Sequence, residues 1–126
     1  MASWLFPISP VAASRPRVSR HGAYFAGPYK KFREEMTEVV PFVLGDNFPM
    51  YEKEIHVALE FFVKQPKKTK LNAPKADIDN YIKSCLDCLN KKLWVDDAQI
   101  LSVYATKRWA GRDEDGHFTV EVNDPI

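Results

Sequence analysis

The clearest pattern along the chain is a strict alternation of apolar and polar side chains over residues 53–64. One face of this segment collects Ile55, Val57, Leu59, Phe61 and Val63. Because successive side chains of a strand point to opposite faces, the alternation predicts a β-strand with one buried face. Strand-like runs also occupy residues 1–8, 99–109 and 117–122, and residues 111–116 are typical of a hairpin tip.

Two segments repeat their apolar residues at helical spacing. The first carries Tyr29, Phe32, Met36, Val39, Val40 and Val43. It predicts an amphipathic helix, which Pro41 should stop or kink because proline lacks a backbone N–H. A turn is expected at residues 45–49, and the Pro, Arg, Ser and Gly residues of 9–28 predict an ordered loop or hairpin.

The second helical segment starts at Asp77 and follows a Pro- and Lys-rich loop over residues 65–75. At 100° per residue, its polar half holds Asp79, Asn80, Lys83, Ser84, Asp87, Asn90 and Lys91. Its apolar half holds Ile78, Tyr81, Ile82, Cys85, Leu86 and Leu89. The segment is therefore predicted to be a helix with one buried face, and Asp77 is a natural N-cap.

The order of these elements predicts a mixed α+β fold, with a small sheet of about four strands and two helices packed on one face. At 126 residues the chain suits one domain over residues 1–126 and is too short for two. No apolar run approaches the roughly 20 residues that span a bilayer. The start lacks a basic segment and is soon interrupted by proline, so neither a membrane span nor a signal peptide is expected, and we expect a cytoplasmic protein. Residues 123–126 are expected to be a short tail.

Cys85 and Cys88 form a single C-x-x-C inside the helical pattern. A structural zinc site needs about four ligands, and the three histidines are scattered without ligand spacing. A thioredoxin-type site would place the pair at a helix N-terminus after a strand. Both cysteines are therefore predicted to be reduced residues that pack within the helix.

A net charge of +1 gives no global signature of nucleic-acid binding, so any such function must rest on local clusters. One cluster lies in the N-terminal Pro-containing segment and holds Arg15, Arg17 and Arg20. The other leads into the second helix and holds Lys64, Lys67, Lys68, Lys70 and Lys75. Such clusters can be merely solvated loops, or they can grip phosphates.

Carboxylates flank the second helix at both ends, with Asp77 and Asp79 at its start and Asp96 and Asp97 beyond its end. Mg²⁺ prefers oxygen ligands and is commonly held by one or two carboxylates together with substrate phosphates, so a phosphodiester is the first substrate to consider. Asp77 and Asp79 could instead simply cap the helix, but capping does not explain the second acidic pair. Lys83, four residues after Asp79, suits either a helix ion pair or neutralisation of a phosphate.

These residues resemble the RusA-like endodeoxyribonucleases, small resolvases of four-way DNA junctions found in bacteria, phages and prophages. The resemblance is carried by Asp77-Ile-Asp79-Asn80-Tyr-Ile-Lys83, Leu86-Asp87, Leu89-Asn90 and Trp94-Val95-Asp96-Asp97-Ala98-Gln99-Ile100. Arg15-Pro16-Arg17 and the aromatic region from Tyr24 to Tyr29 support it. Ala76 stands where basic residues are common in the family, so Lys75 is expected to supply that DNA contact.

The resemblance implies a homodimer that binds a Holliday junction and nicks two opposed strands symmetrically with Mg²⁺ or Mn²⁺. It implies Asp77, Asp79 and Asp97 as metal ligands, with Trp94 anchoring Asp97, and Lys83 as an essential lysine that stabilises charge on the phosphate. Asp96 and Asn80 would have supporting roles. The metal would activate a water for in-line attack, leaving a 5′-phosphate and a 3′-hydroxyl.

The DNA-binding set expected alongside these residues comprises Arg15, Arg17, Arg20, Lys67, Lys68, Lys70 and Lys75. Three alternatives stay open. The protein could be a nuclease for flaps or other branched DNA in phage replication, or a binder of DNA structures that does not cut. It could also be an interaction protein whose acidic motif only caps a helix, in which case no property would depend on metal.

Overall fold

The computed structural model describes residues 1–124 and contains two helices and six strands in those residues. In chain order they are β1 (Ala2–Phe6), β2 (Arg17–Ser19), β3 (Gly22–Tyr24), α1 (Gly27–Leu44), β4 (Ile55–Val63), α2 (Ile78–Leu89), β5 (Ile100–Trp109) and β6 (His117–Asn123). A single 3₁₀ turn (Asp97–Gln99) leads into β5.

Four of the strands form one mixed sheet in the order β1-β6-β4-β5. The central strand β4 pairs antiparallel with β6 and parallel with β5, and β1 pairs antiparallel with β6. The remaining two strands form a separate hairpin. The α+β class and the four-stranded sheet are thus confirmed, and the segment 9–28, expected to be an ordered loop or a hairpin, contains a hairpin. The hairpin tip expected at residues 111–116 is wrong, because β4 lies between β5 and β6 in the sheet and the segment only connects these two strands.

Both helices pack on the same face of the sheet. The alternating face of β4 is buried from Ile55 to Phe61, as the sequence predicts. Phe32 of α1 meets Phe118 with ring centroids 6.4 Å apart, and Tyr81 of α2 meets Phe61 at 5.6 Å. Since α1 contacts β1 and α2 contacts β5, α2 lies on the side of the sheet where β5 forms the edge.

The first helix departs from expectation at its C-terminal end. It continues through Pro41 to Leu44, so a stop at Pro41 is excluded. Proline costs the helix one backbone hydrogen bond, but Val40 is buried and both Val43 and Leu44 pack against the core. Burial of these side chains offsets the lost bond, and the helix ends at Gly45, whose φ of 86° suits glycine.

The second helix has the predicted bounds, but its buried face is rotated toward Ser84. Ser84 is 1% exposed, although the sequence places it on the polar half. Ile82 and Leu86, predicted to be buried, are only partly buried. Helix α1 packs beside α2, and its Arg33 and Met36 line a cavity together with Cys88, one turn after Ser84, so the buried face of α2 is turned toward α1.

The C-terminal end of the chain is more ordered than the predicted tail. Strand β6 extends to Asn123, one residue into the predicted tail, and Pro125 and Ile126 lie outside the described residues. None of the helices within residues 1–124 has the length and apolar character needed to cross a membrane.

Candidate active site

The fold places the two acidic pairs at opposite ends of α2. Asp77 occupies the N-cap position of the helix, whereas Asp97 opens the 3₁₀ turn that follows its C-terminal end. The helix has 12 residues, which at 1.5 Å per residue corresponds to ~18 Å. The predicted ligands Asp77 and Asp79 therefore lie together, and Asp97 lies apart from them.

At the N-terminal end the backbone is held while the carboxylates are free. Lys107 of β5 donates from Nζ to the carbonyl oxygens of Pro74 at 2.9 Å and Ala76 at 2.5 Å. Trp109 donates its indole N–H to the carbonyl of Leu71 at 3.0 Å. These contacts fix the chain immediately before Asp77, and nothing in the sequence pattern singles out either side chain for this purpose.

The free carboxylates weaken the interpretation of this motif as a helix cap. The Asp77 side chain makes no capping hydrogen bond. Asp79 is exposed and has no ion-pair partner in the part of the chain that the structure describes. Their oxygens thus keep their capacity to accept hydrogen bonds or to coordinate a cation.

At the C-terminal end the carboxylate of Asp97 is held by its surroundings. The fully buried Trp94 donates its indole N–H to Asp97 Oδ1 at 2.6 Å, and the Asp97 backbone N–H donates to Asn90 Oδ1 at 3.1 Å. Burial raises the pKa of Asp97, and the negative charges of Asp87 and Asp96 add to this, while the Trp94 bond and Lys83 lower it. Trp94 thus anchors Asp97 as expected.

The neighbouring Asp96 caps the 3₁₀ turn, which is consistent with the supporting role expected for it. Its carboxylate accepts a hydrogen bond from the backbone N–H of Ala98 at 3.0 Å, and its own N–H donates to Gln99 Oε1 at 2.7 Å. This is a capping box for the 3₁₀ turn. Gln99 Nε2 also donates to the carbonyls of Tyr51 and Lys53 at 2.9 and 2.8 Å, so the pair ties the turn to the start of β4.

Lys83 lies between the two acidic ends on the exposed side of α2. Its Nζ is 3.4 Å from Asp87 Oδ2, so its ion pair is with Asp87 rather than with Asp79. The lysine side chain is 65% exposed, and an exposed pair of this kind contributes at most about 0.5 kcal/mol. The ammonium therefore remains available to an incoming anion.

Only one of the predicted arginines is brought to this helix. The backbone N–H of Ala13 donates to the carbonyl of Asn80 at 2.9 Å, which docks the N-terminal segment on α2. Beside this contact lies a cavity of about 390 Å³, lined in part by Arg15, Phe25, Lys83 and Asp87. Arg17 and Arg20 lie on the exposed β2-β3 hairpin instead.

The lysine cluster forms a second basic surface, away from that cavity. Lys64, Lys67 and Lys68 line a cavity of about 440 Å³ together with Arg112 and Asp113. Lys70 and Lys75 are exposed but do not line it. Arg112, in the connection between β5 and β6, was missed from the sequence because only the fold brings that connection beside the lysine loop.

The two cysteines are confirmed as reduced residues within α2. Neither forms a disulfide, and Cys85 is buried while Cys88 is partly buried. Burial raises the pKa of Cys85 well above its ordinary value and that of Cys88 to about 11. Both thiols are therefore protonated at neutral pH.

The three carboxylates predicted to hold a metal do not converge within the described residues of the chain. Across residues 1–124, no group of three or more His, Cys, Asp or Glu side chains is arranged so that it could hold a metal ion. Asp77 and Asp79 form an acidic pair at one end of α2, and Asp97 lies with Asp87 and Asp96 toward the other end.

Comparison with known proteins gives one family. The family model described as "Endodeoxyribonuclease RusA" matches residues 7–123, which includes both acidic ends, Lys83 and both basic clusters. No curated protein matches the chain.

Proposed function

The chain belongs to the RusA endodeoxyribonuclease family, and we propose that it resolves Holliday junctions by symmetric paired nicking in DNA recombination and repair. The observation that carries the proposal is the extent of the match, which covers residues 7–123 of 126. The fold is intact over that range, and both acidic ends of α2 are present with Lys83 between them.

The arrangement of charges supports a phosphodiester substrate. The exposed ammonium of Lys83 stands between Asp79 and Asp87, beside the cavity that Arg15 helps to line. A phosphate at this position would meet a lysine that can neutralise the charge developing on phosphorus as the bond is cut. The acidic side chains would repel that phosphate unless a cation accompanied it.

We propose Mg²⁺ as that cation, with Mn²⁺ as a substitute, and Asp77, Asp79 and Asp97 as its ligands. Carboxylate oxygens are the ligands that Mg²⁺ prefers, and those of Asp77 and Asp79 make no capping bond or ion pair within residues 1–124. The described residues of one chain do not bring all three together.

The two basic surfaces would bind the arms of the junction. Arg15, Arg17 and Arg20 project from the N-terminal segment and hairpin, and the lysines at 67, 68, 70 and 75 project from the loop before α2. Contacts of this type bind phosphates without reading sequence, and they make affinity fall steeply with salt. A homodimer would double both surfaces around a substrate with four arms.

A panel of end-labelled DNA substrates tests the function directly. The purified protein is incubated with a synthetic four-way junction, a matched linear duplex and a flap, each with Mg²⁺ or with a chelator. Paired, symmetric nicks confined to the junction and abolished by chelator are expected. Binding without cutting would contradict catalysis, and preferential cutting of the flap or duplex would overturn the junction as substrate.

A further inference from the structure

Arg33 of α1 lies outside both basic clusters identified from the sequence, yet it lines a cavity beside α2. Resting on the proposed function, we infer that Arg33 binds a phosphate of the DNA backbone, next to the phosphate that is cut and on the same strand. The contact adds a DNA-binding residue that spacing along the chain does not reveal, and it gives the strand a path between the two helices.

Two cavities adjoin between α1 and α2. The first is the cavity of about 390 Å³ beside Lys83, to which α1 contributes Tyr29. The second has a volume of about 170 Å³ and is lined by Arg33, one turn further along α1, together with Asn90 of α2. Because Asp87 lines both cavities, they form one continuous depression, which we call the α1-α2 groove.

The charged side chains of the α1-α2 groove are mainly cationic. Asp87 is the acidic residue in the lining, and it already pairs with Lys83 at 3.4 Å. The four positively charged residues in the lining are Arg15, Lys83, Arg33 and Lys92. The groove therefore has an excess of positive charge, which attracts a polyanion. A DNA strand fits this description because it carries one negative charge at each nucleotide.

Neighbouring aromatic rings hold the Arg33 guanidinium in place. Its central carbon lies 4.8 Å from the ring centroid of Phe25 and 5.5 Å from that of Tyr29. Its Nη1 donates to the Tyr29 hydroxyl oxygen at 3.0 Å, and the two rings meet edge to face at 5.1 Å. A side chain that is ordered before binding loses little conformational freedom when a ligand arrives.

The held guanidinium nevertheless lacks a charged partner. Arg33 is half-buried and makes no ion pair with any residue from 1 to 124. Withdrawing a charge from water without a counterion is costly. Of the five N–H donors of an arginine, one is used by the bond to Tyr29. The others can bind phosphate oxygens in the two-pronged geometry that arginine favours.

The α1-α2 groove connects Arg33 with residues of the candidate active site. Lys83, in the first cavity, is the residue proposed to neutralise the cleaved phosphate. Asn90, in the lining of the second cavity, accepts the backbone N–H of Asp97 at 3.1 Å. A strand with one phosphate at Lys83 that continues along the groove brings a neighbouring phosphate to Arg33. Arg33 thus orients the strand and takes no part in breaking the bond.

The salt dependence of junction binding tests the charge contact. A fluorescent four-way junction is titrated with wild type, Arg33→Met and Lys31→Met in the presence of a chelator, so that no strand is cut. Lys31 is the matched control, because the change removes the same charge from α1 at a side chain that is 80% exposed and pairs with Glu35.

Arg33→Met is expected to bind roughly 10-fold more weakly, and the slope of log affinity against log salt should become shallower by about 0.9, the share of one phosphate contact. Lys31→Met should change neither quantity. Equal behaviour of the two variants would overturn the inference.

An uncharged phosphate in the DNA identifies the partner of Arg33. Single methylphosphonates are placed at successive matched positions in two opposed strands near the crossover, and binding by wild type and Arg33→Met is compared. One position is expected to cost the wild type roughly 10-fold in affinity and to cost Arg33→Met almost nothing, because the interaction is already lost. A purely structural role for Arg33 would lower affinity equally at every position, and that result would exclude the contact.

Arg33→Lys keeps the test decisive if Arg33→Met fails to fold, as judged by its unfolding midpoint. Lysine retains the charge but lacks the planar fork, so this variant should keep the wild-type salt slope with only part of the affinity. Loss of the slope in a folded Arg33→Lys protein would contradict the contact.

The binding assays also separate this inference from the proposed function. A wild-type protein that binds and cuts junctions, but shows no methylphosphonate position that depends on Arg33, would keep the function and lose the inference. A wild-type protein that does not bind the junction would overturn both.

Discussion

The two ends of α2 carry the same kind of residue in opposite states. At the N-terminal end, Asp77 and Asp79 are exposed and make no capping bond or ion pair with any residue from 1 to 124. At the C-terminal end, Asp97 is half-buried and bonded to the indole of Trp94, and Asn90 holds its backbone. A search for acidic side chains alone would treat the two ends as equivalent.

The difference shows which carboxylates contribute to the stability of the fold and which are free to bind a ligand. The Asp97 network connects a buried aromatic ring to the end of a helix and the start of a strand, so it stabilises the fold as well as positioning a charge. The free pair contributes little to stability, because exposed groups without partners can be changed at small cost. Their proposed role is to bind a metal ion. The contrast between the two ends can be tested by mutating each end separately.

The largest expected effect is on catalysis at the free end. Asp79→Asn keeps the shape of the side chain but removes its charge, and cleavage of a four-way junction should fall at least ~100-fold. Binding of the junction and the unfolding midpoint should stay unchanged. Asp96→Asn is the matched control, since an amide oxygen still accepts the Ala98 N–H, and it should change the rate only a few-fold. Equal losses in the two variants would contradict the contrast.

The next effect is on stability at the fixed end. Trp94→Phe removes the indole donor and leaves space in a fully buried site, so the free energy of unfolding should fall by about 2 kcal/mol. Trp109→Phe is the control, because its indole bonds the carbonyl of Leu71 at the other end in an exposed position. It should cost less than ~1 kcal/mol. Denaturant unfolding followed by circular dichroism measures both, and a larger loss for Trp109→Phe would reverse the assignment.

A smaller effect on stability and cleavage is expected from Lys107, which fixes the backbone just before Asp77 and Asp79. Lys107→Met leaves the carbonyls of Pro74 and Ala76 without their donor, and the loop before Asp77 should loosen. We expect a loss of about 1 kcal/mol in stability and a roughly 10-fold loss in cleavage rate, as when a residue that orients a ligand is removed. Lys30→Met, at an exposed position on α1, should alter neither quantity. Full activity of Lys107→Met would remove Lys107 from the positioning of this end.

The last effect involves neither cleavage nor stability and concerns the reactivity of a thiol inside α2. Cys88 has its pKa raised to about 11, chiefly by burial, so at pH 8 only about 10⁻³ of it is thiolate, compared with roughly a quarter of a free cysteine. Labelling of the wild-type protein by a thiol reagent should therefore be at least ~100-fold slower than labelling of a small thiol. A cysteine introduced at Asp79 should react at close to the free rate. Rapid labelling of the wild-type protein would show that the C-terminal half of α2 is open.

Periodicity predicted the elements better than it predicted their contacts. The alternation around Leu59 and the helical spacing around Tyr81 were sufficient to place β4 and α2, because both patterns are local. Ser84 was misplaced because the direction in which a helix faces depends on its neighbour, here α1. Lys107 and Asn90 could not be assigned to the site from spacing, since each acts on a residue that the fold, rather than the sequence, brings near. Resemblance supplied Asp97, but not its distance from Asp79.

The measurement that tests the central claim most directly is a double-mutant cycle on the single-turnover rate of junction cleavage. Wild type, Asp79→Asn, Asp97→Asn and the double variant are compared under saturating protein. If the free and fixed carboxylates belong to one active site, the double variant should be no slower than the slower single variant, because groups that act as a unit are strongly non-additive. Losses that multiply would show that the two ends of α2 act independently and would contradict the claim that they form one site.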